Sequence, residues 1–390
     1  MERLHDCGSS TEAMPSTKRA RHVSRFLHGI QAIKESIRFD HWWYSKMPPL
    51  LAVAYLYILQ FGLAPGQIAV LLPSLFFSIA CVAAYGHVIN DIFDIESDRR
   101  ARKPNAMERL RPGRRALVCA ALVGLGYLPA LAVSYSSWGY LLLALNYLWP
   151  TIYSVPGVRL KVRGLAGVLC DAAGAHLTPT LLVLAVLSHR IADVSGHLMV
   201  FSAAALIWSS ALGIKGILNH QVADRENDRA SSTVTLATQA APGQIERFLP
   251  RYNLFVELPV SAAFVFIVSR GCPLAVLGLS IYCLVEALKY RLGFQFALNS
   301  DPRNTRASFP FVNDFFYYLS LPLSATLQLA STDLIWAWLP FVQLGLFRRT
   351  ALLQILDLNA VAKVSRSHIC HRYAQFRLKR QLHPGEPNGS

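Results

Sequence analysis

Two segments of the chain carry the same acidic residues at the same spacing. Asp91, Asp94 and Asp98 stand at i, i+3 and i+7, just after Asn90, and Gln221, Asp224 and Asp228 repeat that spacing just after His220. On a helix such positions share one face. Carboxylates gathered on one face at a membrane border repel one another and are costly to desolvate. A hard divalent cation removes that cost, and Mg2+ suits one or two carboxylates per ion with phosphate oxygens completing its shell. The two segments lie at a constant offset of 130 residues, which also sets Gly86, Glu96 and Arg99 on Gly216, Glu226 and Arg229. A third polar segment lies between them, Tyr153-Ser154-Val-Pro156-Gly-Val-Arg159-Leu-Lys161. Its Arg fork and Lys point charge are the usual partners of phosphate.

The elements that position these residues are apolar. Of 390 residues 53% are hydrophobic and only 16% charged, with a mean hydropathy of +0.34, whereas a soluble domain is about one quarter charged. A helix crosses the hydrocarbon core with roughly 20 apolar residues. Candidate spans fall at about 47–63, 66–89, 115–135, 138–155, 164–188, 197–219, 250–269, 271–289 and 310–331, with a shorter tenth at about 334–347. None alternates as a barrel strand would. The expectation is an all-α, polytopic membrane protein of nine or ten transmembrane helices around a central cavity, built as a pseudo-duplicated bundle. Residues 1–46 form a polar, basic cytosolic segment, 47–347 the membrane domain and 348–390 a basic tail.

The net charge of +15 is distributed as a topology signal, which argues against nucleic acid. Lys18, Arg19, Arg21 and Arg25, the loop from Arg99 to Arg115, the loop of Arg159, Lys161 and Arg163, and the loops of Arg225, Arg229 and Arg247 and of Arg303 and Arg306 occupy every second connection. The positive-inside rule puts them, and the tail, on the cytoplasmic or equivalent face of a multi-pass protein. Seven scattered cysteines without a CxxC pair read as small core residues. The polar head has no signal-peptide apolar region.

Together the motifs resemble the UbiA superfamily of intramembrane prenyltransferases. That family's NDxxDxxxD and DxxxD marks stand here as Asn90-Asp91-Ile-Phe-Asp94-Ile-Glu-Ser-Asp98 and Asp224-Arg-Glu-Asn-Asp228. Tyr153 to Lys161 is similar to its YS…P…LK element, and Lys103-Pro104 to its basic-Pro segment. The resemblance covers about residues 38–331. It implies that Asp91, Asp94, Asp98, Asp224 and Asp228 bind Mg2+ and serve catalysis. It implies too that Asn90, Arg99, Lys103, Tyr153, Arg159 and Lys161 hold the diphosphate of a prenyl substrate. The lipid tail would lie among the helices, and an aromatic or other lipophilic acceptor would capture the allylic cation.

Other readings compete. A terpene cyclase would quench the cation internally, and a polyprenyl-phosphate phosphoribosyltransferase is suggested by a loose likeness of Arg38 to Lys46 to an RPxxWxKN opening. A divalent-cation transporter would place its acids near the midplane, whereas these stand at helix ends. Asp171, His176, Glu257 and Glu286 lie within spans, as substrate contacts or as interhelical bonds. Asn313-Asp314 caps a helix or binds. The aromatics from Phe309 to Tyr318 line a cation pocket or form an interfacial belt.

Overall fold

Inside a bilayer each backbone N–H and C=O must be satisfied within its own segment, so the apolar runs of this chain become helices. The computed structural model describes residues 29, 31–191, 195–294 and 315–382, and among these there is helix and no strand. The principal helices are α1 (Phe39–Phe61), α2 (Leu71–Arg100), α3 (Pro112–Ala132), α4 (Ser137–Ser154), α5 (Leu165–Ser188), α6 (Gly196–Ala230), α7 (Gln244–Val268) and α8 (Pro273–Arg291). Then follow α9 (Leu321–Thr332), α10 (Leu339–Leu346) and α11 (Arg348–Leu382). Arg303, Arg306, Phe309, Phe311, Asn313, Asp314 and the N-terminal Lys18, Arg19, Arg21 and Arg25 lie outside the described residues.

Six stretches are long and apolar enough to cross a membrane: Pro65–Arg100, which adds a short turn to α2, and α3, α5, α6, α7 and α8. The charged, diproline start of α1 and the Asn146, Pro150 and three tyrosines within α4 leave those two expected spans as helices outside that set. The expected tenth stretch is a short turn followed by the eight-residue α10.

Lipid is as apolar as a leucine side chain, so close packing and interhelical hydrogen bonds hold such a bundle together. Ser78 Oγ donates to Gly126 O at 2.7 Å, tying α2 to α3, and Tyr85 OH meets Thr151 Oγ1 at 2.8 Å, tying α2 to α4. Buried Asn146 of α4 donates to Thr178 O and accepts from Thr178 Oγ1 at 3.2 Å on α5. Lys215 of α6 reaches Glu257 of α7 at 2.6 Å, and Tyr317 OH donates to the same carboxylate at 2.8 Å. Glu257 is therefore an interhelical tie. Glu286 pairs within α8 with Lys289 at 3.0 Å, and Lys289 in turn reaches Asp357 of α11.

Three wide π-turns interrupt the bundle, at Ala173–Leu177, Asn253–Glu257 and Phe316–Ser320. Each ends one residue before an X-Pro step (Thr178-Pro179, Leu258-Pro259, Leu321-Pro322). Proline has no N–H to give the preceding turn and its ring crowds the carbonyl there, so the ladder widens. The constant offset of 130 extends through these prolines: Pro49, Pro112, Gly113 and Pro129 fall on Pro179, Pro242, Gly243 and Pro259. The first half is thus α1 to α4 and the second α5 to α8.

Candidate active site

The two acidic segments are the last turns of α2 and α6, and the chain ends these helices identically. Arg102 and Ser232 take left-handed conformations with φ of 55° and 57°. Beyond them Lys103 N donates to Asp98 O at 2.8 Å and Thr233 N to Asp228 O at 2.7 Å. This is the six-to-one closure that usually employs glycine. The next residues, Asn105 and Thr235, cap short helical turns, Ala106–Arg109 and Leu236–Gln239. Their side chains also donate back to the last carboxylate of each row: Asn105 Nδ2 to Asp98 Oδ2 at 2.8 Å, Thr235 Oγ1 to Asp228 Oδ2 at 3.3 Å. Motif, cap and loop form one repeated unit.

Between the two units lies a cavity of about 250 Å³. Asp94, Asp98, Asp224 and Asp228 line its polar end with Lys103 and Lys161, while Met47, Leu50, Ile79 and Val82 line an apolar end. Each acid is already engaged. Asp94 is gripped by Lys161 Nζ and by Arg159 Nη2 at 3.2 Å. Asp224 faces Lys103 Nζ at 3.4 Å and His220 Nε2 at 3.6 Å. Among the described residues no three acidic, Cys or His groups stand ready-made around one point. The donor set of carboxylate and amide oxygens is nevertheless the hard-oxygen chemistry that Mg2+ takes.

The first position of each row does different work. Asp91 is 2% exposed, does not line the cavity, and holds Arg38 through Nε at 3.0 Å and Nη2 at 2.7 Å. In this arrangement the Asp91 carboxylate faces Arg38 and not the cavity. Its carboxylate fixes the entry of α1, where Arg38 itself sits at φ 47°. Gln221, its counterpart, accepts from Ala237 N at 3.3 Å and so holds the second loop. Arg99 is likewise absent from the cavity: it is exposed and paired with Glu96 at 3.1 Å and Glu108 at 2.8 Å.

The segment between the motifs reaches the same acidic cluster. Lys161 Nζ donates to Asn90 Oδ1 at 3.1 Å as well as to Asp94, and Tyr153 lines the cavity. The turn that carries Lys161 is tightly wound: Arg159 has φ 36° and Gly164 φ 56°. Gly167 seats it from α5, where an added Cβ would lie 2.6 Å from Leu160 O and 3.0 Å from Lys161 Cα. Burial pulls the Lys161 ammonium below its ordinary pKa, with Asp94 opposing.

Sequence reasoning assigned no site role to Asn105, Thr235 and His87, and it noted Arg38, His41 and Lys46 only within the opening that resembles RPxxWxKN; all of these but Asn105 line the cavity. Asp171 lines it too, while His176 lies beside Gly216 of α6. Only the repeat itself, followed past Asp98 and Asp228, held a signal for Asn105 and Thr235.

The model of the UbiA prenyltransferase family matches residues 47–319. Among solved structures, a UbiA homologue from Archaeoglobus fulgidus bound to DMAPP and Mg2+ aligns with a TM-score of 0.49 at 16% identity, over 81% of this chain and 99% of that one. The same homologue bound to GPP and Mg2+ gives 0.44 at 17%, over 85% and 99%. A digeranylgeranylglyceryl phosphate synthase structure gives 0.41 at 16%, over 85% and 96%. No curated protein matches the sequence.

Proposed function

The chain belongs to the UbiA prenyltransferase family, and from that premise we propose that it transfers a prenyl group from a prenyl diphosphate to a lipophilic acceptor within the membrane. The observation that carries the proposal is the convergence of Asp94, Asp98, Asp224 and Asp228, from two repeated helix ends, on one cavity whose other end is apolar. Mg2+ held by these carboxylates would neutralise the diphosphate and make it a better leaving group. The solved homologue's binding of DMAPP or GPP with Mg2+ accords with this.

The chain's own cations then have a second task. Lys161 and Arg159, which pair with Asp94, and Lys103, which pairs with Asp224, would be free to hold the diphosphate oxygens where Mg2+ held the carboxylates. Asn90 keeps Lys161 aimed from below. The bond between C1 of the prenyl chain and the diphosphate oxygen breaks with its electron pair leaving on the diphosphate, and a bond from the acceptor to C1 forms. The acceptor's proton needs a base facing the cavity, and Asp171, half-buried within α5 and lining the cavity, would supply one. An ionisable group within a span marks function.

In this reading α1, α4 and α9 complete the crossings, 47–347 is the catalytic unit, and the motif ends face the cytoplasm or its equivalent. The test is release of diphosphate from geranylgeranyl diphosphate by the protein in nanodiscs. Mg2+-dependent release lost in both Asp94→Ala and Asp224→Ala is the expected result, with the variants still monodisperse and folded. Near-wild-type release in either variant would overturn the two-cluster site. Cyclic products without acceptor would identify a cyclase instead.

A further inference from the structure

The last helix has no role in the site, yet it is fixed across the motif side of the bundle at two points. Near its start Arg349 reaches Asp40, in the first turn of α1, at 3.7 Å and lies over the Tyr44 ring at 5.6 Å. Just before it, at the end of α10, Leu346 O accepts from Trp43 Nε1 at 3.1 Å. Two turns on, Asp357 pairs with Lys289 in the last turn of α8, and Lys289 also holds Glu286 at 3.0 Å. All three charges of that second anchor are buried. The start of α1 and the end of α8 lie at the same membrane border as the acidic motifs, since Arg38 binds Asp91 and the chain alternates between borders. Eight residues of helix, about 12 Å, join these anchors. α11 therefore runs along the border and does not cross it.

Its docked stripe is Thr350, Asp357 and Val361, all buried. The opposite stripe reads Arg348, Leu352, Ile355, Lys363 and Arg366 at helical spacing. The aliphatic centre is open, with Leu352 59%, Ile355 54% and Leu356 62% exposed. Lys and Arg bracket it at both ends, where long stems can cover apolar surface while their heads reach outward. Over Arg348–Leu382 eight Lys or Arg stand against one acid, Asp357, and that acid faces the bundle. Such a helix, apolar at the centre and basic at the rims, fits the boundary between acyl chains and negatively charged headgroups.

We propose that α11 is a membrane-surface helix that binds anionic lipid headgroups through Arg348, Lys363 and Arg366 and inserts Leu352, Ile355 and Leu356 at the acyl boundary. The proposal does not rest on the catalytic reading. Its test uses the full-length protein in nanodiscs, with a nitroxide at Leu356→Cys and accessible native cysteines removed. In discs of phosphatidylcholine with phosphatidylglycerol, the label should collide with dissolved oxygen and be shielded from an aqueous nickel chelate. In phosphatidylcholine alone, or at high salt, the shielded fraction should fall.

Lys363→Gln with Arg366→Gln removes two surface charges, each worth about a fivefold preference for anionic lipid. The ratio of shielded to exposed label should drop about 30-fold in that variant. Both side chains are exposed, so folding, checked by thermal melting, should be unchanged. A label equally open to the chelate in both lipids would overturn the proposal. So would shielding that ignores lipid charge and the double substitution, or dipolar coupling between labels showing that a second copy covers the helix.

Discussion

Lys161 concentrates what a single side chain does here. It is buried, grips Asp94 and is steadied by Asn90, so an ammonium is held where a diphosphate oxygen would need it. Lys161→Ala removes a charge-assisted bond worth about 1.5–3 kcal/mol, and the expected outcome is a loss of roughly 10- to 150-fold in kcat/KM for prenyl diphosphate. Unchanged affinity and rate would reduce Lys161 to a topology signal. Asn105 and Thr235 act one step further back, by holding Asp98 and Asp228. Asn105→Ala and Thr235→Ala should each raise the Mg2+ concentration for half-maximal diphosphate release by about 10-fold or more, with Thr235→Ser keeping most of the wild-type response. An equal Mg2+ requirement in the alanine variants would show these contacts to be incidental. The acids were legible because their spacing is local to one helix face. Arg38 was not, because the partner that gives it meaning, Asp91, is 53 residues away and only the packing of α1 on α2 joins them.

At the scale of elements, the termination of α2 and α6 decides where the acids stand. Arg102 and Ser232 occupy left-handed positions where side chains other than glycine cost roughly 1–2 kcal/mol, and the same closure recurs in both halves. Strain of this kind persists where surrounding contacts over-determine it, here Asn105 and Thr235 bonded to the carboxylates behind them. The turn of Lys161 depends on α5 in a similar way. Gly167→Ala would drive a methyl into Leu160 O at 2.6 Å, so the turn must shift. Diphosphate affinity should fall about as far as in Lys161→Ala, with a stability loss of about 1–3 kcal/mol read by thermal melting. Wild-type affinity in this variant would mean that the turn does not need its seat. The sequence marked these elements incompletely, because non-glycine residues at left-handed caps leave no local signature.

For the molecule as a whole, hydropathy found the helices better than it counted the crossings. Six stretches suffice on length and apolarity, and α1 and α4 fall short because prolines, charges, Asn146 and tyrosines dilute them although they pack in the same core. Sidedness is testable apart from chemistry. Cysteines replacing the exposed Arg109, Val158 and Ala241 should all react with an impermeant maleimide from the cytoplasmic face, and one replacing Ser137 from the other. Labelling of position 158 from the opposite face would overturn the topology. The two halves hold one spacing from Pro49 and Pro179 to Pro129 and Pro259, yet within that stretch α7 winds a π-turn at Asn253–Glu257 while its counterpart α3 keeps ordinary helix. No residue was inserted to make it. The same number of residues is wound with one more per turn, so the side chains on either side of that turn are rotated relative to their counterparts in α3. The duplication is thus equal in count and unequal in pitch: this chain breaks its own symmetry by winding, not by length.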